Sequence, residues 1–184
     1  MPVLIFLNIK SLQMKKLIVI ATLFCLTSVS VSAQHDHSGH KTEPSSTAAS
    51  DNKNVSQLLT LYYNIKDALV ADNANAASAQ AAEFVKTANS IDYKVISEGN
   101  INALLTDAGR ISETKDIKQQ RSLFANLSTN MSALAKAVKL TDQPVYQQYC
   151  PMKKAYWLSS EQAIKNPYFG SSMLTCGKLT ETLK

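Results

Sequence analysis

The sequence predicts an all-α domain over residues 51–184: an antiparallel four-helix bundle that carries an irregular Cys/Met/aromatic flap, residues 142–184, at its C-terminal end. Three observations predict it. Proline is absent between residues 51 and 140. Apolar side chains recur there at three- and four-residue steps, the spacing of one helix face. Beyond Thr141 that periodicity stops, and the chain from residue 144 onward holds three of the five prolines (Pro144, Pro151, Pro167) and the only tryptophan.

Taken in order, the first 33 residues read as a secretory signal. Met14 is the expected working start, because Met14-Lys15-Lys16 forms a positive n-region. Leu17 to Leu26 forms an apolar h-region, and Val31-Ser32-Ala33 supplies small residues for cleavage. The apolar run is too short to span a membrane and is diluted by Thr27, Ser28 and Ser30. Phe24 before Cys25 does not suit a lipoprotein cleavage site. The expectation is an exported protein, periplasmic or secreted, with no stable membrane span after cleavage.

Residues 34–50 are His-, Ser-, Thr- and Ala-rich with almost nothing apolar, the composition of a disordered tail. Every histidine of the chain lies here, in Gln34-His35-Asp36-His37-Ser38-Gly39-His40. Three imidazoles and a carboxylate so close together can coordinate a divalent transition metal, though ordering such a tail costs entropy.

Four helices are then predicted. Val55, Leu58, Tyr62, Ile65 and Leu69 form the first stripe, with Asp51 or Asn54 as its cap. Asp72 caps a second, alanine-rich helix whose stripe is Ala74, Ala77, Ala81, Phe84, Val85 and Ala88. A third follows the break at Gly99-Asn100, with Ile101, Leu104, Leu105, Ala108 and Ile111. The fourth, capped by Ser112 or Thr114, carries Ile117, Phe124, Leu127, Met131, Leu134 and Val138. Short connections between them give the bundle. In the flap, Asn166-Pro167-Tyr168-Phe169-Gly170 is a turn signal, and Ser159 to Lys165 is expected to be a short helix.

The flap is where chemistry is expected. Cys150-Pro151-Met152 is answered by Met173-Leu174-Thr175-Cys176, so two thiols and two thioethers stand at the two ends of one loop. These are soft ligands that favour Cu(I)-type ions, and thioethers argue against a structural zinc site. The alternative is a Cys150–Cys176 disulfide, worth ~3 kcal/mol for a loop of this length, with Met152 and Met173 filling gaps in the core. Paired cysteines in a small exported domain usually bridge. Tyr156, Trp157, Tyr168 and Phe169 lie between the sulfur pairs, either to shield a soft cation or to pack the flap onto the helices.

Charge and composition exclude several classes. The formal charge is +5, yet Lys10, Lys15 and Lys16 precede the cleavage site while all 14 acidic residues follow it. That leaves 16 basic residues against 14, a net charge of +2, which does not suit nucleic-acid binding. The folded region has no histidine, hence no Ser-His-Asp or Cys-His pair, and no glycine-rich phosphate loop occurs. An enzyme is not expected.

Tyr149-Cys150-Pro151-Met152, Tyr156-Trp157-Leu158-Ser159, Ile164-Lys165-Asn166-Pro167-Tyr168-Phe169-Gly170 and Met173-Leu174-Thr175-Cys176-Gly177 together resemble the signature of an uncharacterised exported helical domain. In the helices, Tyr62-x-x-Ile65-Lys66-Asp67-Ala68-Leu69-Val70-Ala71-Asp72 and Asp116-Ile117-x-x-Gln120-Arg121-x-x-Phe124 are similar to it as well. That domain occurs alone, or fused to the C-terminus of periplasmic adaptor subunits of RND-type copper/silver efflux systems. Several fused members carry extra residues after the Cys-Pro-Met, where here only Lys153, Lys154 and Ala155 intervene. The resemblance brings no settled activity with it. It implies the company of heavy-metal efflux, a copper or silver ion at Cys150, Met152, Met173 and Cys176, and an efflux adaptor as partner. The rival expectation is a disulfide-stapled interaction module that docks on an envelope or adaptor protein and holds no metal in its core.

Overall fold

The computed structural model describes residues 46–183. Four helices come first: α1 (Ser46–Val70), α2 (Ala74–Ala88), α3 (Glu98–Ser112) and α4 (Ile117–Ala137). Three strands follow, β1 (Val145–Cys150), β2 (Ala155–Ser159) and β3 (Lys178–Leu183), with a 3-10 turn at Gly170–Met173 before the last. The expected signal segment and the histidine tail through His40 lie outside the described residues. The helix α1 already begins at Ser46, so Asp51 and Asn54 lie within it rather than at its cap.

The helices use the stripes read from the sequence. Val55, Leu58, Tyr62, Ile65 and Leu69 on α1, and Phe124, Leu127, Met131 and Leu134 on α4, are all buried in one core. Each helix packs chiefly on its neighbours in the chain, and β2 lies along α4. Leu105, expected in the core, is only half-buried, whereas Leu104 takes the central position. The caps also differ by a residue or two. Asn73 caps α2 by accepting from the Ala76 N–H at 2.9 Å. Asp116 caps α4, accepting from the N–H groups of Lys118 and Gln119 at 2.8 and 3.2 Å.

The all-α expectation is wrong: the fold is mixed, with a three-stranded antiparallel sheet in the order β2-β1-β3 where an irregular flap was expected. β1 pairs with β2 as a hairpin from Tyr146↔Ser159 to Cys150↔Ala155, and with β3 from Val145↔Leu183 to Tyr149↔Lys178. The residues are good strand formers, with Val and Tyr in β1 and Tyr-Trp-Leu in β2. The expected helix over Ser159 to Lys165 is an irregular segment instead.

Two buried tyrosines close the outer edge of β2, a position that would otherwise expose unpaired backbone groups. The Tyr62 hydroxyl on α1 accepts from the Leu158 N–H at 3.0 Å and bonds Ser128 Oγ of α4 at 2.7 Å. The Tyr168 hydroxyl donates to the carbonyl of Tyr156. Tyr62 stacks on Phe124 with ring centroids 5.2 Å apart, so one side chain joins α1, α4 and the sheet.

The segment between β2 and β3 is fastened to the helices at the α1–α2 turn. Asp72 sits there with φ +58° and accepts from the Ser171 N–H at 3.2 Å, from Ser171 Oγ at 2.6 Å and from Arg121 Nη2 at 2.5 Å. Arg121 also donates to the carbonyls of Leu69 and Pro167, at 2.8 and 3.0 Å. Gly170 is required at this junction: its φ is +56°, and a Cβ there would overlap Arg121 and Asp72.

Candidate metal centre at the end of the sheet

Cys150 is the last residue of β1. The register that sets it opposite Ala155, and Gln148 opposite Trp157, puts Cys150, Gln148 and Trp157 on one face of the sheet. Residues 160–177 cover that face. The buried Gln148 amide shares its protons among the carbonyls of Glu161, Gln162 and Ala163 at 2.9, 3.0 and 3.3 Å. Further along, Asn166 bonds Cys150, and Gly177 passes so close to the ring of Trp157 that an added Cβ would stand 2.7 Å from Cη2. Glycine directly after Cys176 is therefore what lets the chain return beside β1.

This return brings the two cysteines together. Both are free thiols in the structure, Cys150 buried at 0 % exposure and Cys176 half-buried. The Cys150 sulfur accepts from Asn166 Nδ2 at 3.2 Å and from the Lys153 N–H at 3.4 Å. Cys176 donates its N–H to the Met173 carbonyl at 3.1 Å, and its own carbonyl accepts from Asn166 Nδ2 at 2.6 Å. Burial pushes the Cys176 thiol up. The nearby Cys150 adds to that.

The methionines stand differently. Met152, in the β1–β2 hairpin turn, is 64 % exposed, and Met173, in the 3-10 turn, is 41 % exposed. The structure leaves both thioethers exposed, Met152 two residues along the chain from Cys150 and Met173 three from Cys176. Among the described residues, no three His, Cys, Asp or Glu side chains gather in one group. Two thiols without a third such ligand do not meet the four-ligand demand of zinc. They fit a soft ion content with few sulfur donors. His35, His37 and His40 lie outside the described residues.

The flap aromatics form a wall towards the helices. Trp157 and Tyr168 are buried and meet edge to face at 6.0 Å, and Tyr168 lies 6.0 Å from Phe124. Tyr156 is largely exposed and packs its ring 4.7 Å from Tyr149. Burial raises the Tyr168 hydroxyl above its ordinary range, keeping it protonated as the donor to Tyr156. Sequence reasoning missed Asn166 and Gln148 as parts of the site. Asn166 was visible only as a turn residue, and nothing in the sequence signals that either amide is buried.

Residues 58–143 match the model of a family described as Protein of unknown function (DUF3347). The matched segment covers the second half of α1 and all of α2, α3 and α4, and ends before Cys150. No curated protein and no solved structure matches the chain. Among the described residues, no helix is long and apolar enough to cross a membrane.

Proposed function

We propose that this chain is an envelope protein that holds Cu(I) or Ag(I) between Cys150 and Cys176, in the service of heavy-metal efflux or homeostasis. The observation that carries the reading is that one amide, Asn166 Nδ2, bonds both the Cys150 sulfur and the Cys176 carbonyl, which sets two free thiols beside each other at the end of the sheet, one buried and one half-buried. Thiolates are the ligands that soft monovalent ions prefer. The buried sulfur gives a dry, low-dielectric anchor, and the half-buried one gives a route in and out. Met152 and Met173, exposed and two or three residues along the chain from a cysteine, are suited to pass an ion to the thiols as weaker, neutral donors. The exported tail with His35, His37 and His40 would serve as a separate capture site for divalent ions. An efflux adaptor of the RND type is the partner that the sequence resemblance suggests.

The test is a thiol count on the native exported protein, followed by anaerobic titration with Cu(I) against a competing chelator. Two reactive thiols that become protected by one Cu(I), with Cys150→Ser and Cys176→Ser each abolishing tight binding, support the reading. No free thiol before reduction supports the second reading, a disulfide-stapled module that docks on an adaptor or another envelope protein. That second reading draws on the same adjacency, since a bridge needs the cysteines close. It also draws on the exposed side chains of Met152, Tyr156, Met173, Leu174 and Leu179 in this part of the chain.

A further inference from the structure

We propose that Asn166 is the positioning residue of the sulfur pair: its one amide group bonds the Cys150 sulfur and the Cys176 backbone and so holds the two cysteines side by side. The inference rests on the reading of the pair as a Cu(I) or Ag(I) site, and it adds what organises the site and why the ion would be two-coordinate.

Asn166 is fully buried, yet it is neither apolar nor charged. Its polar groups are all used within the loop that separates the cysteines. The backbone N–H donates to the Leu174 carbonyl at 2.8 Å, and the backbone carbonyl accepts from Gly170 at 3.0 Å. Oδ1 accepts from the Tyr168 N–H at 2.8 Å. Nδ2 has two protons and two partners, the Cys150 sulfur at 3.2 Å and the Cys176 carbonyl at 2.6 Å. A single amide thus grips the sulfur of one cysteine and the backbone of the other. With the Lys153 N–H on the same sulfur at 3.4 Å, two approach directions of Cys150 are taken by donors.

Those donors have an electronic consequence. An N–H directed at a thiolate withdraws density from sulfur and stabilises its charge, as outer ligands do in metal sites generally. The same contacts take up approach directions on that sulfur and disfavour its bridging a second ion. With two thiols and no third His, Cys, Asp or Glu gathered beside them among the described residues, two-coordinate ligation is what the pair offers, and it suits Cu(I) and Ag(I) rather than ions that require four ligands.

The experiment measures anaerobic Cu(I) affinity and the thiolate-to-copper charge-transfer band in the mature chain and four variants. Asn166→Asp keeps an oxygen for the Tyr168 N–H but has no donor for the sulfur. Asn166→Ala removes the donor with a smaller, uncharged side chain, and carries the test should the aspartate prevent folding. Asp72→Asn loosens the same segment at its other anchor without touching sulfur, and Cys150→Ser removes the anchor sulfur itself. The expected result is a loss of about 10- to 100-fold in Cu(I) affinity for the Asn166 variants, with the band moved to lower energy. Asp72→Asn should leave both unchanged. Wild-type affinity and band position in the Asn166 variants, with binding abolished by Cys150→Ser, would overturn the inference and leave the metal site standing. Zn(II) that displaces Cu(I) from the wild-type protein would overturn the two-coordinate arrangement. Absence of Cu(I) binding in the wild type, or binding unaffected by Cys150→Ser, would overturn the metal reading and this inference together.

Discussion

Replacing Tyr62 by Phe tests whether the helices and the sheet are joined through one hydroxyl. The ring would stay where it is, fully buried and stacked on Phe124 at 5.2 Å, so the change removes an oxygen and little volume. Two partners lose it. Ser128 can turn its own hydroxyl elsewhere, but the Leu158 N–H, bonded at 3.0 Å in the interior, has no other acceptor in the structure. An orphaned buried donor costs about 1–3 kcal/mol, and that is the expected destabilisation. Ser128→Ala leaves the strand bonded but takes the acceptor from the buried Tyr62 hydroxyl proton, so it too should cost about 1–3 kcal/mol. Urea unfolding measures both. Far-ultraviolet dichroism follows the helices, and emission from Trp157, the only tryptophan and fully buried, follows the sheet. A Tyr62→Phe change within about 0.5 kcal/mol, the range of an inconsequential surface substitution, would refute the claim that Tyr62 closes the β2 edge.

Four further outcomes are expected. Apparent Cu(I) affinity should fall as the pH falls, because the Cys176 thiol is raised by burial and by Cys150 and a proton competes with the metal below its pKa. A chelator competition series across pH checks it, and a flat profile argues against thiolate ligation. Gly177→Ala should destabilise by roughly 1–3 kcal/mol, because its Cβ would press on Trp157 Cη2 at 2.7 Å. Trp157 emission should shift, and no change in either would mean that the loop has slack. Asp72, held down to about 2 chiefly by Ser171 and then by Arg121, should contribute stability that is present above the ordinary carboxylate range, about 4. That contribution is lost as the pH falls towards 2. Since its side chain is 40 % exposed, Asp72→Asn should cost no more than about 1 kcal/mol at neutral pH, measured by urea titration. Deleting residues 34–41 should leave the helical signal intact and reduce the stoichiometry of Cu(II) or Ni(II) by calorimetry, and unchanged stoichiometry for both ions would exclude the tail as a site.

The helices were legible because one face of each meets the core, so the stripe from Val55 to Leu69 appears directly in the sequence. Their ends were less so. Asp72 and Asn73 are both competent caps, and what decides between them is the demand of Ser171 and Arg121 for the Asp72 carboxylate, a tertiary fact. The sheet was hidden for a different reason. Both faces of β1 and β2 are covered, as buried Trp157 beside buried Leu158 shows, so the alternation that marks a half-exposed strand is missing. The hairpin between them was masked too, since Lys154 takes the positive φ of +55° that a glycine would have advertised. The meeting of Cys150 and Cys176 could be read as the two ends of one loop. The outward placement of Met152 and Met173 could not, because spacing does not tell which way a side chain points.

The bonds that join the sheet to the helices also set an order of events in time, because the longest-range contacts form last. The bonds from Leu158 to Tyr62 and from Ser171 to Asp72 join residues 96 and 99 positions apart, whereas the helices are built from near neighbours. Loop closure over such separations is slow compared with helix formation. The cysteines therefore sit on the part of the chain that is expected to be assembled late, with Cys150 reaching its buried position only when the segment through Asn166 closes over it. During that interval both sulfurs are open to whatever the surroundings offer, and the first to arrive, ion or oxidant, sets which form of the protein is completed.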